Sequence, residues 1–173
     1  MENWDLYDKN RLPLDKTIKK GEQMPDGTYR MVVHIIIFNS NGQMLIQQRQ
    51  ATRKSWANYW DFSASGSVIA GETSAAAAQR ETLEELGIHI DFSNERAFLT
   101  VNFEFGFDDF YLIEKNVDIE SLKLQSEEVR AVKWASKDEI LTLFDSRQFI
   151  PYYKSFIEAL FEMRKKRGVH KPV

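Results

Sequence analysis

One arginine and three glutamates stand close together in a segment of 13 residues, Ser74–Leu86. Strong helix formers dominate the segment, which predicts a helix. At 100° per residue, carboxylates spaced i, i+3 and i+4 lie within about 100° of arc, where like charges raise one another's energy. A patch of hard oxygen ligands is what Mg²⁺, Mn²⁺ or Ca²⁺ requires, and Mg²⁺ often takes phosphate oxygens as further ligands. We therefore predict a metal-phosphate site at Arg80, Glu81, Glu84 and Glu85.

Two other features of the segment bear on this hypothesis. An acidic helix face can be merely solvated, and the cluster alone does not exclude that reading. The preceding loop favours a site, because Gly66 and Gly71 allow close backbone approach and Glu72 ends the loop, where it could fold back onto the acids. The opposite face of the helix is predicted to pack on the core through Ala75, Ala78, Thr82, Leu83 and Leu86.

Composition excludes several other kinds of chemistry. The chain has 173 residues, a formal net charge of -3 and no cysteine. The absence of cysteine removes disulfides, thiolate metal sites and cysteine nucleophiles. The acidic balance disfavours a nucleic-acid polymer as partner. The longest apolar run is about 8 residues, well below the ~20 of a membrane span, and no signal sequence is recognisable, so we expect a cytoplasmic protein without membrane attachment.

The acidic helix and its loop resemble a known motif. From Gly66, the segment GSVIAGETSAAAAQRETLEELGI resembles the Nudix box: glycine, five residues, glutamate, seven residues, Arg-Glu, an aliphatic residue, any residue, Glu-Glu, any residue, glycine, an aliphatic residue. The aliphatic position after Arg-Glu holds Thr82, which must also place a hydroxyl. A looser resemblance over residues 4–150 is to the Nudix subgroup closest to isopentenyl-diphosphate isomerase. The positions in register are Gly66, Glu72, Arg80, Glu81, Glu84, Glu85, Gly87 and Ile88.

The resemblance implies a fold and an activity. The fold is α+β, a Nudix-type α/β/α sandwich with a mixed β-sheet. The activity is that of a Nudix pyrophosphohydrolase, which uses Mg²⁺ or Mn²⁺ to hydrolyse a diphosphate linkage in a nucleoside diphosphate-X or a related small molecule. Carried over by position, Glu81, Glu84 and Glu85 are metal ligands, and one of them is a candidate for the base. Arg80 orients a carboxylate of the box, and Glu72 ties the loop to the helix.

Residues outside the box extend the predicted site. Glu128, in the pair Glu127-Glu128 before a predicted strand, is a candidate base or extra ligand, with an exposed acidic turn as the alternative. Arg49 and Lys54 are candidates for phosphate binding, and Gly66 lets the backbone pass close to metal and substrate. Ordinary surface cations are the alternative reading of the arginine and the lysine.

Two other functions compete with hydrolysis. The related isomerases have Cys-Gly-His where this chain has Ser65-Gly66-Ser67, and a histidine near the position of Arg30. Serine lacks the acidity of a thiol, so we prefer a hydrolase to an isomerase. A non-catalytic nucleotide-binding domain is a third reading, but such a domain has no need of repelling acids.

The elements that must position these residues follow from local patterns. Residues 1–28 predict an N-terminal arm or hairpin packed on a domain of residues 29–173, which includes a C-terminal helix of about residues 152–166 opened by Pro151. Residues 30–38 and 44–49 predict a hairpin around the turn NSNG. Further strands are expected near residues 97–105, 109–114 and 129–134. A capping box predicts a helix from Ser136. The arm makes a homodimer reasonable.

Overall fold

The computed structural model describes residues 2–165, 168 and 170, so the predicted end of the last helix at Lys166 lies outside the described residues. No helix in this part of the chain combines the length and apolarity needed to cross a membrane. The strands are β1 (Asn3–Tyr7), β2 (Pro13–Lys19), β3 (Arg30–Phe38), β4 (Met44–Arg49), β5 (Trp60–Asp61), β6 (Ala64–Ser67), β7 (Leu99–Phe103), β8 (Gly106–Glu114) and β9 (Val129–Ala135). The helices are α1 (Ser74–Leu86), α2 (Lys137–Asp145) and α3 (Lys154–Met163), with a single 3-10 turn at Ile119–Ser121.

A mixed sheet of seven strands forms the middle layer. Its main path runs β5-β4-β3-β8-β7, with β6 paired to β3 and β9 paired to β4. Strands β3 and β8 are parallel, and the other pairs are antiparallel. The run MVVHIIIF in β3 suits a strand covered on both faces. One apolar core lies under α1 and the other under α2 and α3, so the expected α/β/α sandwich is confirmed.

The expected hairpin between β3 and β4 forms only at its turn. The two strands pair at Phe38 and Met44 and then separate. Ser63 sits between them, where its hydroxyl accepts from the Ile37 N–H (2.8 Å) and donates to the Leu45 carbonyl (2.6 Å). Beyond the turn, β3 pairs with β6 and β8, and β4 pairs with β5 and β9. The predicted strands, their turn and their antiparallel pairing are confirmed, but the pairing is confined to the turn because distant strands take the remaining backbone groups.

Helix α1 begins and ends where the sequence predicts. The Thr73 hydroxyl accepts from the Ala76 N–H (3.1 Å), and Gly87 has φ 70°, the left-handed conformation favoured after a helix. The predicted division of its faces is partly wrong. Leu83 is 48% exposed and Glu85 only 2%, because the helix packs across β6 and turns Glu85 under that strand. Thr82 is buried, and its hydroxyl donates to the Ala78 carbonyl (2.7 Å).

The predicted start is confirmed for α2 and wrong for α3. Ser136 and Glu139 form the predicted capping box at the start of α2. Helix α3 begins at Lys154 rather than next to Pro151, so the proline precedes the helix by a short extended segment. Just before the proline, the Ile150 N–H donates to the Trp60 carbonyl (2.9 Å), which holds the chain against β5.

The N-terminal residues form a two-stranded hairpin, β1 with β2, attached to the domain at several points. The Gly71 N–H donates to Asp5 (2.7 Å), which ties the hairpin to the loop before α1. Arg11, in the turn of the hairpin, forms a bidentate ion pair with the buried Asp109 of β8. Ser74 also donates to Asp109 (2.5 Å), so the hairpin is fixed beside the start of α1.

Candidate active site

A cleft of about 680 Å³ opens between the N-terminal hairpin, β3, β6 and the polar face of α1. Glu85 lies behind its wall, in contact with β6. The remaining predicted residues, Glu72, Gly71 and Lys54, are not among those that line it. The predicted site residues that do line the cleft are Arg49, Gly66, Arg80, Glu81, Glu84 and Glu128.

Arg80 holds three glutamates of the motif at once. Its Nε and Nη2 donate to the two oxygens of Glu72 (2.8 and 3.0 Å), and Nη1 donates to Glu81 (2.7 Å) and Glu84 (3.0 Å). Nη2 also donates to the Ser67 carbonyl (3.0 Å). Burial alone would lower the pKa of Arg80, but the bonds to Glu72 and the charge of Glu81 outweigh it and raise that pKa. These contacts support the predicted role of Arg80 in orienting carboxylates.

Glu81 packs its carboxylate directly against Gly66. A Cβ atom added to Gly66 would lie 1.9 Å from Glu81 Oε1, so only glycine leaves room for the carboxylate in this position. The Glu81 side chain is 13% exposed. Burial raises the pKa of Glu81 to about 7 against the opposing charge of Arg80, and the charges of Glu84 and Glu128 add to the increase. The site therefore concentrates more negative charge than Arg80 neutralises.

Glu85 is buried between α1 and the sheet. One of its oxygens accepts from Gln47 Nε2 (2.9 Å) and from the Ser65 N–H (3.0 Å). Burial raises the pKa of Glu85 well above its ordinary value, and the neighbouring Glu81 raises it further. A merely solvated helix face is thus excluded for Glu85, although Glu84 is 49% exposed.

Of the predicted site residues outside the motif, Glu128 and Arg49 lie in the cleft and Lys54 does not. Glu128 lines the cleft and forms an ion pair with Arg53 (2.8 Å), and its charge raises the pKa of Glu81. Arg49 also lines the cleft, 3.8 Å from Asp61. Lys54 is exposed outside it, and the neighbouring Arg53 takes the place predicted for the lysine. An irregular loop has no fixed period, so the sequence could not decide which of the two cations faces inward.

A hard divalent cation fits the donors of this site. Carboxylate oxygens are its preferred ligands, and burial together with the charges of neighbouring acids raises the pKa values of Glu81 and Glu85, so a bound cation would stabilise their charged forms. Among the residues that the structure describes, no three acidic or histidine side chains are already grouped as metal ligands. Arg80 accounts for this, because it holds one oxygen each of Glu81 and Glu84. Both carboxylates already line the cleft, so a cation that replaced Arg80 as their partner would lie at the cleft wall.

Several cleft residues were not predicted. The His34 ring stacks on Phe110 (4.7 Å between centroids), its Nε2 lies 3.3 Å from Asp108, and its Nδ1 is buried without a hydrogen-bond partner. Nearby, the Tyr152 hydroxyl donates to Asp61 (2.9 Å). Trp4 and Arg30 form the opposite wall. Two of these residues carried a signal in the sequence: Arg30 stands where the related isomerases have a histidine, and His34 lies in a buried strand, which indicates a core or pocket histidine rather than a catalytic one.

Comparisons with known proteins agree with this geometry. The family model of the NUDIX domain matches residues 28–156. A Nudix hydrolase of Listeria innocua is 47% identical over 170 residues, which cover 98% of this chain and 99% of the relative. An isopentenyl-diphosphate Delta-isomerase of Streptomyces coelicolor is 31% identical over 84 residues, 49% of this chain and 43% of the relative. The crystal structure of DR0079 from Deinococcus radiodurans superposes with a TM-score of 0.74 at 21% identity, covering 91% of this chain and 98% of that one.

Proposed function

The chain belongs to the Nudix hydrolase family, and we propose that its cleft uses Mg²⁺, or Mn²⁺, to hydrolyse the diphosphate linkage of a nucleoside diphosphate-X or a related small molecule. Nudix hydrolases generally need a divalent metal. The observation that carries the proposal is the Glu81 carboxylate packed on Gly66, where burial and neighbouring acids raise its pKa to about 7. Such an acid is stabilised by a cation and stands beside a cleft large enough for a small molecule.

Each residue has a separate part in the proposed reaction. Glu81, Glu84 and Glu85 would hold the metal, with Glu128 as a further ligand or the base. When bound, the divalent ion neutralises diphosphate oxygens and activates water for attack. Arg80 keeps the carboxylates in place, and the bidentate bond from Arg80 to Glu72 fixes the loop that carries Gly66.

The isomerase reading has less support in the cleft. Ser65, Ser67 and Arg30 line it at the positions where related isomerases have a cysteine and histidines. A serine hydroxyl cannot supply the acidity of a thiol, and the chain has no cysteine elsewhere. The partial similarity to an isomerase therefore supports a shared fold and subgroup more than a shared reaction.

A Mg²⁺-supported screen of diphosphate compounds tests the proposal. The panel contains nucleotide sugars, dinucleotides, nucleoside di- and triphosphates and isopentenyl diphosphate, with products separated by anion-exchange chromatography. We expect cleavage at a diphosphate linkage in one class of compound, and no conversion of isopentenyl diphosphate to its allylic isomer. No turnover across the whole panel would favour a binding domain.

The variant Glu84→Gln tests whether hydrolysis depends on the proposed metal ligands. Glu84 is half exposed and forms an ion pair with Arg80, a type that contributes about 0.3–0.5 kcal/mol, so the variant should fold normally. We expect hydrolysis to fall at least ~100-fold, because a metal ion supplies several kcal/mol of transition-state stabilisation. Glu120→Gln, on the exposed 3-10 turn, is the control. Undiminished hydrolysis by Glu84→Gln would remove the metal assignment.

A further inference from the structure

Arg30, the first residue of β3, places a guanidinium in the cleft between two aromatic rings. Its Cζ atom lies 4.5 Å from the centroid of the Trp4 ring and 5.7 Å from that of Phe103. Nη1 donates to the Ser67 hydroxyl (3.0 Å). Contacts with two rings and a hydroxyl hold the guanidinium in one position, but none of these groups carries a negative charge.

The other cationic side chains of the cleft, unlike Arg30, are paired with carboxylates. Each has a carboxylate within 4.0 Å, whereas no carboxylate of the described residues lies that close to the Arg30 guanidinium. Asp108 and Glu2 act on Arg30 only from a greater distance. The paired cations and their partners are Lys20 with Glu2, Arg49 with Asp61, Arg53 with Glu128, and Arg80 with Glu72.

The unused donors of Arg30 are accessible from the cleft. Nε and Nη2 form no hydrogen bond with the described residues, and neither is among the buried polar atoms that lack a partner. Burial lowers the pKa of Arg30, but a guanidinium stays charged at any physiological pH. A fixed positive charge with two free donors is thus presented to whatever occupies the cleft.

Ser67 connects this guanidinium to the acidic end of the site. Its hydroxyl accepts from Arg30 (3.0 Å), and its carbonyl accepts from Arg80 (3.0 Å), which in turn holds Glu81. The two ends of the site are therefore separated by a single residue. A molecule that spans Ser67 would therefore meet both ends, and the planar fork of arginine matches phosphate oxygens in a bidentate arrangement.

We propose that Arg30 binds a phosphate group of the substrate, next to the phosphate held at the acidic end, and that Trp4 positions it. The inference rests on the proposed function, because that function supplies a diphosphate as the guest. It makes the N-terminal hairpin part of the substrate site, since Trp4 belongs to β1. Arg30 would be a binding residue, and Trp4 a positioning residue that acts through it.

Binding of inorganic pyrophosphate in the presence of EDTA tests the proposal without turnover. Titration calorimetry compares the full chain with Arg30→Gln and with Arg96→Gln, whose arginine is exposed and does not line the cleft. We expect Arg30→Gln to weaken binding roughly 10- to 100-fold, the usual effect of losing a charged hydrogen-bond donor, and Arg96→Gln to leave it unchanged. Equal affinities for Arg30→Gln and the unaltered chain, or no binding by the latter, would overturn the proposal.

Two further variants separate position from charge. Arg30→Lys keeps the charge and loses the fork, so we expect intermediate affinity; it also provides the comparison if the glutamine variant does not fold, which thermal melting would show. Trp4→Leu should weaken pyrophosphate binding about 2- to 5-fold through loss of the ring contact. Unchanged affinity in Trp4→Leu would remove its positioning role.

The same measurements distinguish this proposal from the proposed function. Glu84→Gln should bind pyrophosphate in EDTA at least as tightly as the unaltered chain, because it removes a negative charge from the cleft, but should lose hydrolysis. Arg30→Gln should instead lose binding and raise KM with less effect on kcat. Absence of hydrolysis in every variant, with binding still dependent on Arg30, would refute the hydrolase and leave the anion site standing.

Discussion

Replacing Glu81 with glutamine should remove a pH-dependent loss of stability that the metal-free protein shows between about pH 5 and pH 7. Burial raises the pKa of Glu81 to about 7 in the folded protein, against 4.5 for an ordinary glutamate. Between these values the folded state binds more protons than the unfolded chain, so the free energy of unfolding falls as the pH rises. This contribution is fully present below pH 4.5 and is lost as the pH rises through about 7.

The size of the effect follows from the two pKa values. Each pH unit between them corresponds to ~1.4 kcal/mol, which gives about 3 kcal/mol for Glu81 over the whole range. Glutamine does not titrate and can still accept the hydrogen bond from Arg80. Glu85 is present in both proteins, so most of its own pH dependence cancels in the difference.

Urea denaturation in EDTA, followed by tryptophan fluorescence at pH 5, 6, 7 and 8, measures this difference. We expect the stability of the unaltered protein, relative to Glu81→Gln, to decline by about 2 to 3 kcal/mol across the series, because part of the contribution is already lost at pH 5. Mg²⁺ should reverse the decline in the unaltered protein only, with its stabilising effect larger at pH 8 than at pH 5, because protons compete with the cation. A difference that is flat, or that rises with pH, would refute the burial argument.

Two further substitutions test the packing of the site and its attachment to the hairpin. In Gly66→Ala the new Cβ would lie 1.9 Å from Glu81 Oε1; the flexible carboxylate can move aside, so we expect a folded protein with hydrolysis reduced at least ~10-fold. Full activity would contradict the placement of Glu81. Arg11→Ala removes the cation paired with the buried Asp109 and should lower the free energy of unfolding by about 3 kcal/mol in urea denaturation. A loss below about 1 kcal/mol would mean that the hydroxyls of Ser74 and Thr100 stabilise the buried Asp109 without the arginine.

Local signals in the sequence predicted the framework of the site. Helix α1 has the predicted bounds because a threonine cap, a run of helix formers and Gly87 act within a few residues of one another. The Nudix motif was equally readable, since its spacing depends on one loop and one helix. Predictions based on neighbours along the chain therefore gave the family, the α/β/α layers and the acidic helix.

The errors arose where distant segments decide the outcome. The separation of β3 from β4 depends on Ser63 and on pairing with β6, β8 and β9, which no local pattern specifies. Burial of Glu85 depends on Gln47 and the Ser65 N–H, which come from other strands. Trp4 reaches the cleft because contacts between distant residues, among them the Arg11–Asp109 ion pair and the Gly71–Asp5 hydrogen bond, fix the hairpin against the domain.

The arrangement of Arg80 explains how the fold tolerates its acids without a metal. Its guanidinium pairs with Glu81 and Glu84, while its bidentate bond to Glu72 belongs to the loop. A cation that takes over Glu81 and Glu84 would leave the Glu72 bond intact, so the loop that carries Gly66 need not unfold when the ligands change partners. The cation would then offset the burial and the neighbouring acids that raise the pKa values of Glu81 and Glu85, and metal binding should stabilise the same elements that position the substrate.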